Sequence, residues 1–211
     1  MYRMSYFSES LWHINVSAFI LNKVGGFNLE RKAYRGISYR EAKEVIHHQK
    51  YERQEFRAFS PHVAARSLFG SGLYLINDLE LAARYAFCHA DTEHEQKAVV
   101  LTQKIHLQNP FILNYRYSEA RLKQEAWRWK YKNTKHPLPL DPLERSIQLG
   151  NDTRDFLLAH SHDGIIYHID DEIIYYVLYD QVKQVKDIEV ALVFNISGPD
   201  PLSATSQEEG H

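Results

Sequence analysis

The sequence predicts an α+β protein, on three observations. Helical patterns dominate its first half and strand patterns its second. No regular strand–helix–strand alternation runs through it, which argues against a parallel doubly wound sheet. Its composition is that of a folded core: 44% hydrophobic and 13% aromatic, with 14 tyrosines. A chain of 211 residues is expected to form one domain and can bury a full core without covalent staples. We place that domain at 1–195, with 1–31 as an N-terminal helical extension and 196–211 as a disordered, polar tail.

The elements follow in order. Ser8 or Ser10 can cap a helix over 8–23, where Leu11, Ile14, Ala18 and Leu21 recur at helical spacing; Val24-Gly25-Gly26 ends it. Ala33–Ile37 reads as a short strand. Ser38 and Glu41 form a capping box for a charged, surface-lying helix that runs to about Gln54. Phe56–Ser60 alternates as a strand does, and Ser60-Pro61 opens a loop. Phe69-Gly70-Ser71-Gly72 turns into an apolar strand, Leu73–Ile76, and the Asn77-Asp78 pair starts a helix that carries Tyr85. Lys97–Leu107 is a long strand, Asn109-Pro110 a turn and Phe111–Leu113 a second strand. A helix is expected from Ser118 to about Lys132, then a loop over 133–142 with three prolines. Residues 143–160 read as two helical pieces interrupted at Gly150, the second capped by Asn151 or Asp152. Gly164–His168 and Ile173–Tyr179 are strands around the acidic turn Asp170-Asp171. Val182–Phe194 is a final strand pair or one long edge strand.

Charge and cysteine content narrow the function classes. A net charge of −2 does not suit a generally basic nucleic-acid binder, although a local patch remains compatible with it. A single cysteine, Cys88, rules out an intramolecular disulfide and suits a reducing, cytoplasmic setting. No apolar run is long enough to span a membrane, and no cleavage pattern marks a signal peptide. The 12 histidines include His47-His48 and His160-Ser161-His162 but no set at metal-ligand spacing, so no metal is expected.

The residues that suggest chemistry are few. Tyr34-Arg35-Gly36 sets a cation beside a residue with no side chain. Such a glycine lets a planar ligand approach the main chain, and an arginine fork can hold ribose hydroxyls or phosphate. Tyr74 on a strand and Tyr85 on the following helix, eleven residues apart, can oppose their rings across one cleft. Stacking of this kind contributes about 0.5–1.5 kcal/mol per pair beyond area burial.

Four pieces in order, Tyr34-Arg35-Gly36, Phe69–Leu75, Ala82-Ala83-Arg84-Tyr85-Ala86 and Tyr175–Val182, resemble the signature of ADP-ribosyltransferases of the poly-ADP-ribose-polymerase and diphtheria-toxin type. Asp163–Tyr167 is similar to the strand that precedes the catalytic one in bacterial toxin-like members. The resemblance covers about residues 32–190 and implies a split β-sandwich that binds NAD in its cleft, with helices at the periphery. It implies that Gly36 holds the nicotinamide carboxamide through its main chain and that Tyr74 and Tyr85 sandwich the ring. Arg35 stands where the polymerase-like branch has histidine; arginine there is typical of the cholera-toxin branch, where it braces the phosphates and riboses. Ala82 departs from the serine of many relatives.

The resemblance also implies a carboxylate on the last strand before Asp180. Aligned on Tyr176–Asp180, Tyr175 takes the usual glutamate position and Glu172 lies three residues earlier. An odd separation on a strand puts two side chains on opposite faces, so only one of them enters the cleft. The chemistry favours Glu172, because a charge beside the ribose stabilises an oxocarbenium-like centre. With Tyr175 in that place, transfer is limited to a single ADP-ribose, or turnover is lost.

The acceptor is sought elsewhere. Arg121, Lys123, Trp127, Arg128, Trp129, Lys130, Lys132 and Lys135 form a basic segment interleaved with aromatics. It reads either as a nucleic-acid patch or as an amphipathic helix with its tryptophans docked on the core. The expected activity is NAD-dependent mono-ADP-ribosyl transfer to a macromolecule, nucleic acid or protein, by a toxin or antiviral defence effector with an antitoxin or inhibitor as partner. Its alternatives are a non-catalytic NAD-, ADP-ribose- or RNA-binding relative, and an NAD glycohydrolase.

Overall fold

A computed structural model describes residues 29–52, 57–58, 64–65, 68–132 and 137–196. The expected helix over 8–23, its ending at Val24–Gly26, most of the Phe56–Ser60 strand, Lys135 and the tail beyond Ile196 lie outside these residues. The described residues form an α+β fold around a seven-stranded sheet.

The order along the chain is β1 (Leu29–Ser38), α1 (Tyr39–His48), β2 (Arg57–Ala58), β3 (Ala64–Ala65), β4 (Leu73–Ile76), α2 (Leu79–Thr92), β5 (Lys97–Leu107) and β6 (Phe111–Leu113). Then come α3 (Glu119–Tyr131), α4 (Pro142–Ala159), β7 (Gly164–His168), β8 (Ile174–Leu178), the single turn α5 (Gln181–Gln184) and β9 (Val185–Asn195). The large sheet runs β6-β7-β8-β4-β1-β5-β9, and β2 with β3 forms a separate hairpin. Among the described strands, only β6 and β7 pair in parallel.

Local chemistry accounts for most boundaries. Ser38 caps α1, its Oγ accepting from the Glu41 amide at 3.4 Å. The helix stops at His48, short of the Gln54 expected, because Gln49 turns left-handed. The Gln49 side-chain Nε2 then donates to the carbonyls of Ile46 and Ile188, tying the helix end to β9. Asp78 and Ser118 cap α2 and α3 in the same way. The expected break at Gly150 does not occur. α4 runs unbroken from Pro142, capped by Asp141, and Gly150 lies inside it where the Gly70 turn packs closely on the helix backbone. A glycine costs a helix about 1 kcal/mol relative to alanine, and tertiary packing overrides that here. The segment after Asp180 forms one turn of helix and then one long edge strand, β9, rather than a strand pair.

Alternation along the strands divides the core. Ala33 and Ile37 of β1, Leu73 and Leu75 of β4, Leu101 of β5 and Tyr176 and Leu178 of β8 share the face that α1 covers with Ala42 and Val45. On the other face, Ala82, Ala86 and Ala90 of α2 pack on Ile76, Ala98 and Val100. Leu122 of α3 and Leu157 of α4 pack there on Ile165, Val177 and Phe69. Each fully buried leucine of this kind contributes about 1.5–3 kcal/mol.

Candidate functional site

The central feature is the junction of β1 and β4. β1 pairs with β5 at ten positions but with β4 at one, Tyr34 opposite Ile76. That register would place Tyr74 opposite Gly36, yet no pair forms there. The Tyr74 carbonyl instead accepts from Arg35 Nη1 at 3.0 Å. The arginine side chain thus closes the sheet where the two backbones part.

Arg35 reaches this position because it alternates with Ala33 and Ile37 and faces the same core. It is 5% exposed, and its guanidinium lies 5.0 Å from the ring centroid of Tyr51. Tyr51 is held in turn by its hydroxyl, which donates to Gln103 Oε1 at 2.6 Å. A buried guanidinium needs acceptors and a π face around it; the Tyr74 carbonyl accepts from Nη1 and the Tyr51 ring faces the group.

Gly36 faces the opposite side and packs directly on α2. A Cβ built on it would lie 2.0 Å from the Ala82 carbonyl and 2.4 Å from the Ala86 nitrogen. The small residues at 36, 82 and 86 therefore set how close α2 comes to the sheet. That closeness fixes the position of Tyr85, one residue before Ala86.

Tyr85 is 42% exposed, and its hydroxyl lies 2.8 Å from that of Tyr175. Tyr175 stands on β8 opposite Ile76 on one side and Tyr167 on the other. Tyr34, Ile76, Tyr175 and Tyr167 thus form a row across one face of the sheet, with Tyr85 above Tyr175. Burial, and then the hydrogen bond with Tyr85, push the Tyr175 phenol above its ordinary value of 10.0. It is therefore a neutral hydrogen-bonding group at neutral pH.

Tyr74 lies two residues from Ile76 on that same face, but its hydroxyl turns back to the preceding turn. It donates to the Gly70 carbonyl at 2.7 Å and accepts from the Phe69 amide at 3.1 Å. Gly70 has φ +83°, a conformation glycine adopts without strain.

Glu172 is exposed in the turn before β8. Its amide donates to Asp170 Oδ1 at 2.9 Å and its carbonyl accepts from Asn77 Nδ2 at 2.7 Å. Asn77 Oδ1 also accepts from the Ile174 amide, so this residue clamps the start of β8 to the end of β4. The amides of Ile173 and Glu172 hold the Asp170 carboxyl below its usual value. Of the two residues weighed for the cleft, Tyr175 is the one beside Tyr85.

The aromatic and basic helix α3 is largely neutralised by its neighbours. Arg121 pairs with Glu125, Lys123 with Glu119, and Lys130 with both Asp152 at 2.7 Å and Asp155 at 2.8 Å. Trp129 packs against Phe156 and His160, and Trp127 lies 4.3 Å from Tyr131. Arg128 and Lys132 are exposed and make no ion pair among the described residues. Asn77 and Tyr51, which brace the site, carried no motif; only the Asn-Asp pair before α2 hinted at the first.

Among the described residues, no group of three or more His, Cys, Asp or Glu side chains is placed to hold a metal ion. No helix among them is long and apolar enough to cross a membrane. Comparison of the chain with family models, with curated proteins and with solved structures gave no match.

Proposed function

We propose that the cleft beside the β1–β4 junction binds the nicotinamide end of NAD and that the protein transfers a single ADP-ribose from it to a macromolecule. The observation that carries this reading is the convergence of Tyr85 and Tyr175 on one face of the sheet, next to the point where β1 and β4 separate. The residue types fit the ligand. Gly36 pairs with Val100 of β5 but has no strand partner toward β4, and Tyr85 and Tyr34 offer aromatic faces. Tyr175 offers a neutral hydroxyl.

In such a transfer the nicotinamide–ribose bond breaks and its electron pair leaves with the nicotinamide nitrogen. An acceptor heteroatom forms the new bond to C1 of the ribose and gives its proton to solvent. The chain contributes alignment: Arg35 holds Tyr74 and the edge of β4, α2 holds Tyr85, and Asn77 holds β8. A phenol at 175 stabilises developing positive charge less than a carboxylate does, so slow transfer of one unit is expected rather than chain growth.

A second reading follows from the same phenol. With a neutral Tyr175 in the cleft, the protein would be an NAD- or ADP-ribose-binding module without turnover. Incubating the full chain with NAD labelled in its adenosine half and a cell lysate separates the two. Label transferred to material that protease or nuclease releases supports the transferase and identifies the acceptor class. Free ADP-ribose alone indicates a glycohydrolase, and retained NAD with measurable binding indicates the module.

A further inference from the structure

Arg154 of α4 stands outside the cleft just described, and neither the fold nor the proposed transfer accounts for it. Its Nε is buried and has no hydrogen-bond partner among the described residues. Among the described residues the side chain makes no ion pair; its one neighbouring group of note is the Tyr179 ring, 5.8 Å from the guanidinium carbon. The carboxylates nearest in sequence do not serve it, since Lys130 takes both Asp152 and Asp155. A half-buried cation left without an anion is unfavourable, and a group of this kind calls for a ligand.

The surroundings suit an oxyanion. The Cβ of Arg154 lies 2.7 Å from where a Cβ on Gly70 would be, so the arginine stem rests directly on the glycine turn. Tyr179 and Tyr74 fix that turn, through a hydroxyl donated to Phe69 O at 3.0 Å and one donated to Gly70 O at 2.7 Å. Ser71 sits between the two glycines, half-buried, and its hydroxyl has no partner among the described residues. A guanidinium fork without an ion pair among the described residues, whose stem rests on a turn that carries a hydroxyl, matches a tetrahedral anion better than a single charge point.

We infer that Arg154 and the Gly70-Ser71-Gly72 turn form a binding site for a phosphate group of a nucleotide ligand. The phosphate can belong to a free dinucleotide or to the backbone of a nucleic acid, and the chemistry at Arg154 is the same for both. Arg154 carries this inference whether or not the protein turns NAD over.

Calorimetric titration of the full chain tests it at fixed ionic strength, with adenosine, ADP and a short single-stranded oligonucleotide as probes. Wild-type protein should bind ADP, the oligonucleotide or both, and Arg154→Met should weaken that binding roughly 10- to 100-fold, the range for losing hydrogen bonds to a charged group. Any binding of adenosine should be unchanged. Dependence seen with ADP alone names the dinucleotide as source, and dependence with the oligonucleotide alone names the polymer; either supports the site. Ser71→Asp, which sets a negative charge on a half-buried turn position, should abolish the same binding and serves where Arg154→Met does not fold. Binding of both phosphate probes unaltered in the variants, or no binding of either by the wild type, overturns the site. No step requires turnover, so loss of the transferase reading leaves this test standing.

Discussion

The hydroxyls of Tyr85 and Tyr175 meet at 2.8 Å although 90 residues separate them in the chain. One comes from α2 and the other from β8, and neither strand nor helix alone would bring them together. Their bond ties α2 to β8 across one face of the sheet. Tyr85→Phe and Tyr175→Phe should each lower stability by about 0.5–1.5 kcal/mol, the net value of one hydrogen bond. The double variant should lose less than the sum, and urea unfolding of the four proteins measures the coupling directly. Fully additive losses would show that the bond contributes nothing.

Gly36 is the most constrained position near the site. Alanine there would set a Cβ 2.0 Å from the backbone oxygen of Ala82, which cannot move without shifting α2. Gly36→Ala should destabilise by about 1–3 kcal/mol or more, the cost of overpacking a rigid contact. Chemical denaturation gives this value, and a loss near zero would mean that α2 is free to move away from β1.

Arg35 should behave as a positioning residue. Arg35→Met removes the Nη1 donor to the Tyr74 carbonyl and should cost about 1.5–3 kcal/mol, the value of a hydrogen bond made by a charged group. Lysine should not restore stability, because it lacks the planar group that lies over Tyr51. Thermal unfolding of the two variants decides this: full rescue by lysine would mean that charge alone matters.

Much of this architecture is legible in the chain, and what escapes is long-range. Ser38 with Glu41, Asp78 and Ser118 announce their helices because a cap is a contact between residues three apart. The β7–β8 hairpin follows from its apolar runs and the acidic turn between them. Alternation already sets Arg35 on the side of Ala33 and Ile37, although the neighbouring Gly36 draws attention to binding. The continuity of α4 through Gly150 is not readable, since it depends on the Gly70 turn from a distant segment. Nor is the neutralisation of α3: Lys130 finds its carboxylates 22 and 25 residues further on. Parity distinguishes Glu172 from Tyr175 but does not say which faces Tyr85; only the register of β8 against β4 does.

Asp170 offers a pH test of the turn before β8. The Asp170 carboxyl accepts two backbone amides, which lowers its value below 3.8. Its contribution to the turn is thus complete above the ordinary aspartate value and is lost as pH falls through the lower folded one. Carboxyl NMR titration should place Asp170 below 3.8. Asp170→Asn should remove the acid-dependent change in the Ile173 and Glu172 amide signals, and a titration at or above the ordinary value would contradict these bonds.

Exposed Glu172 should tolerate change. Glu172→Gln should leave stability within about 0.5 kcal/mol, as surface substitutions do. With Tyr175 beside Tyr85, it should also leave any NAD turnover close to wild type. A steady-state assay that showed turnover lost in this variant would give the catalytic role to Glu172.

Binding of NAD at the tyrosine cleft is tested most directly by saturation-transfer NMR of NAD with the full chain and its Tyr85→Ala variant. Binding beside the tyrosine pair predicts that the nicotinamide ring protons receive the transfer in the wild type. It predicts that removing the Tyr85 ring, whose stacking contributes about 0.5–1.5 kcal/mol, weakens binding several-fold in a variant that remains folded. No transfer to the nicotinamide protons, or equal affinity in the two proteins, would contradict it.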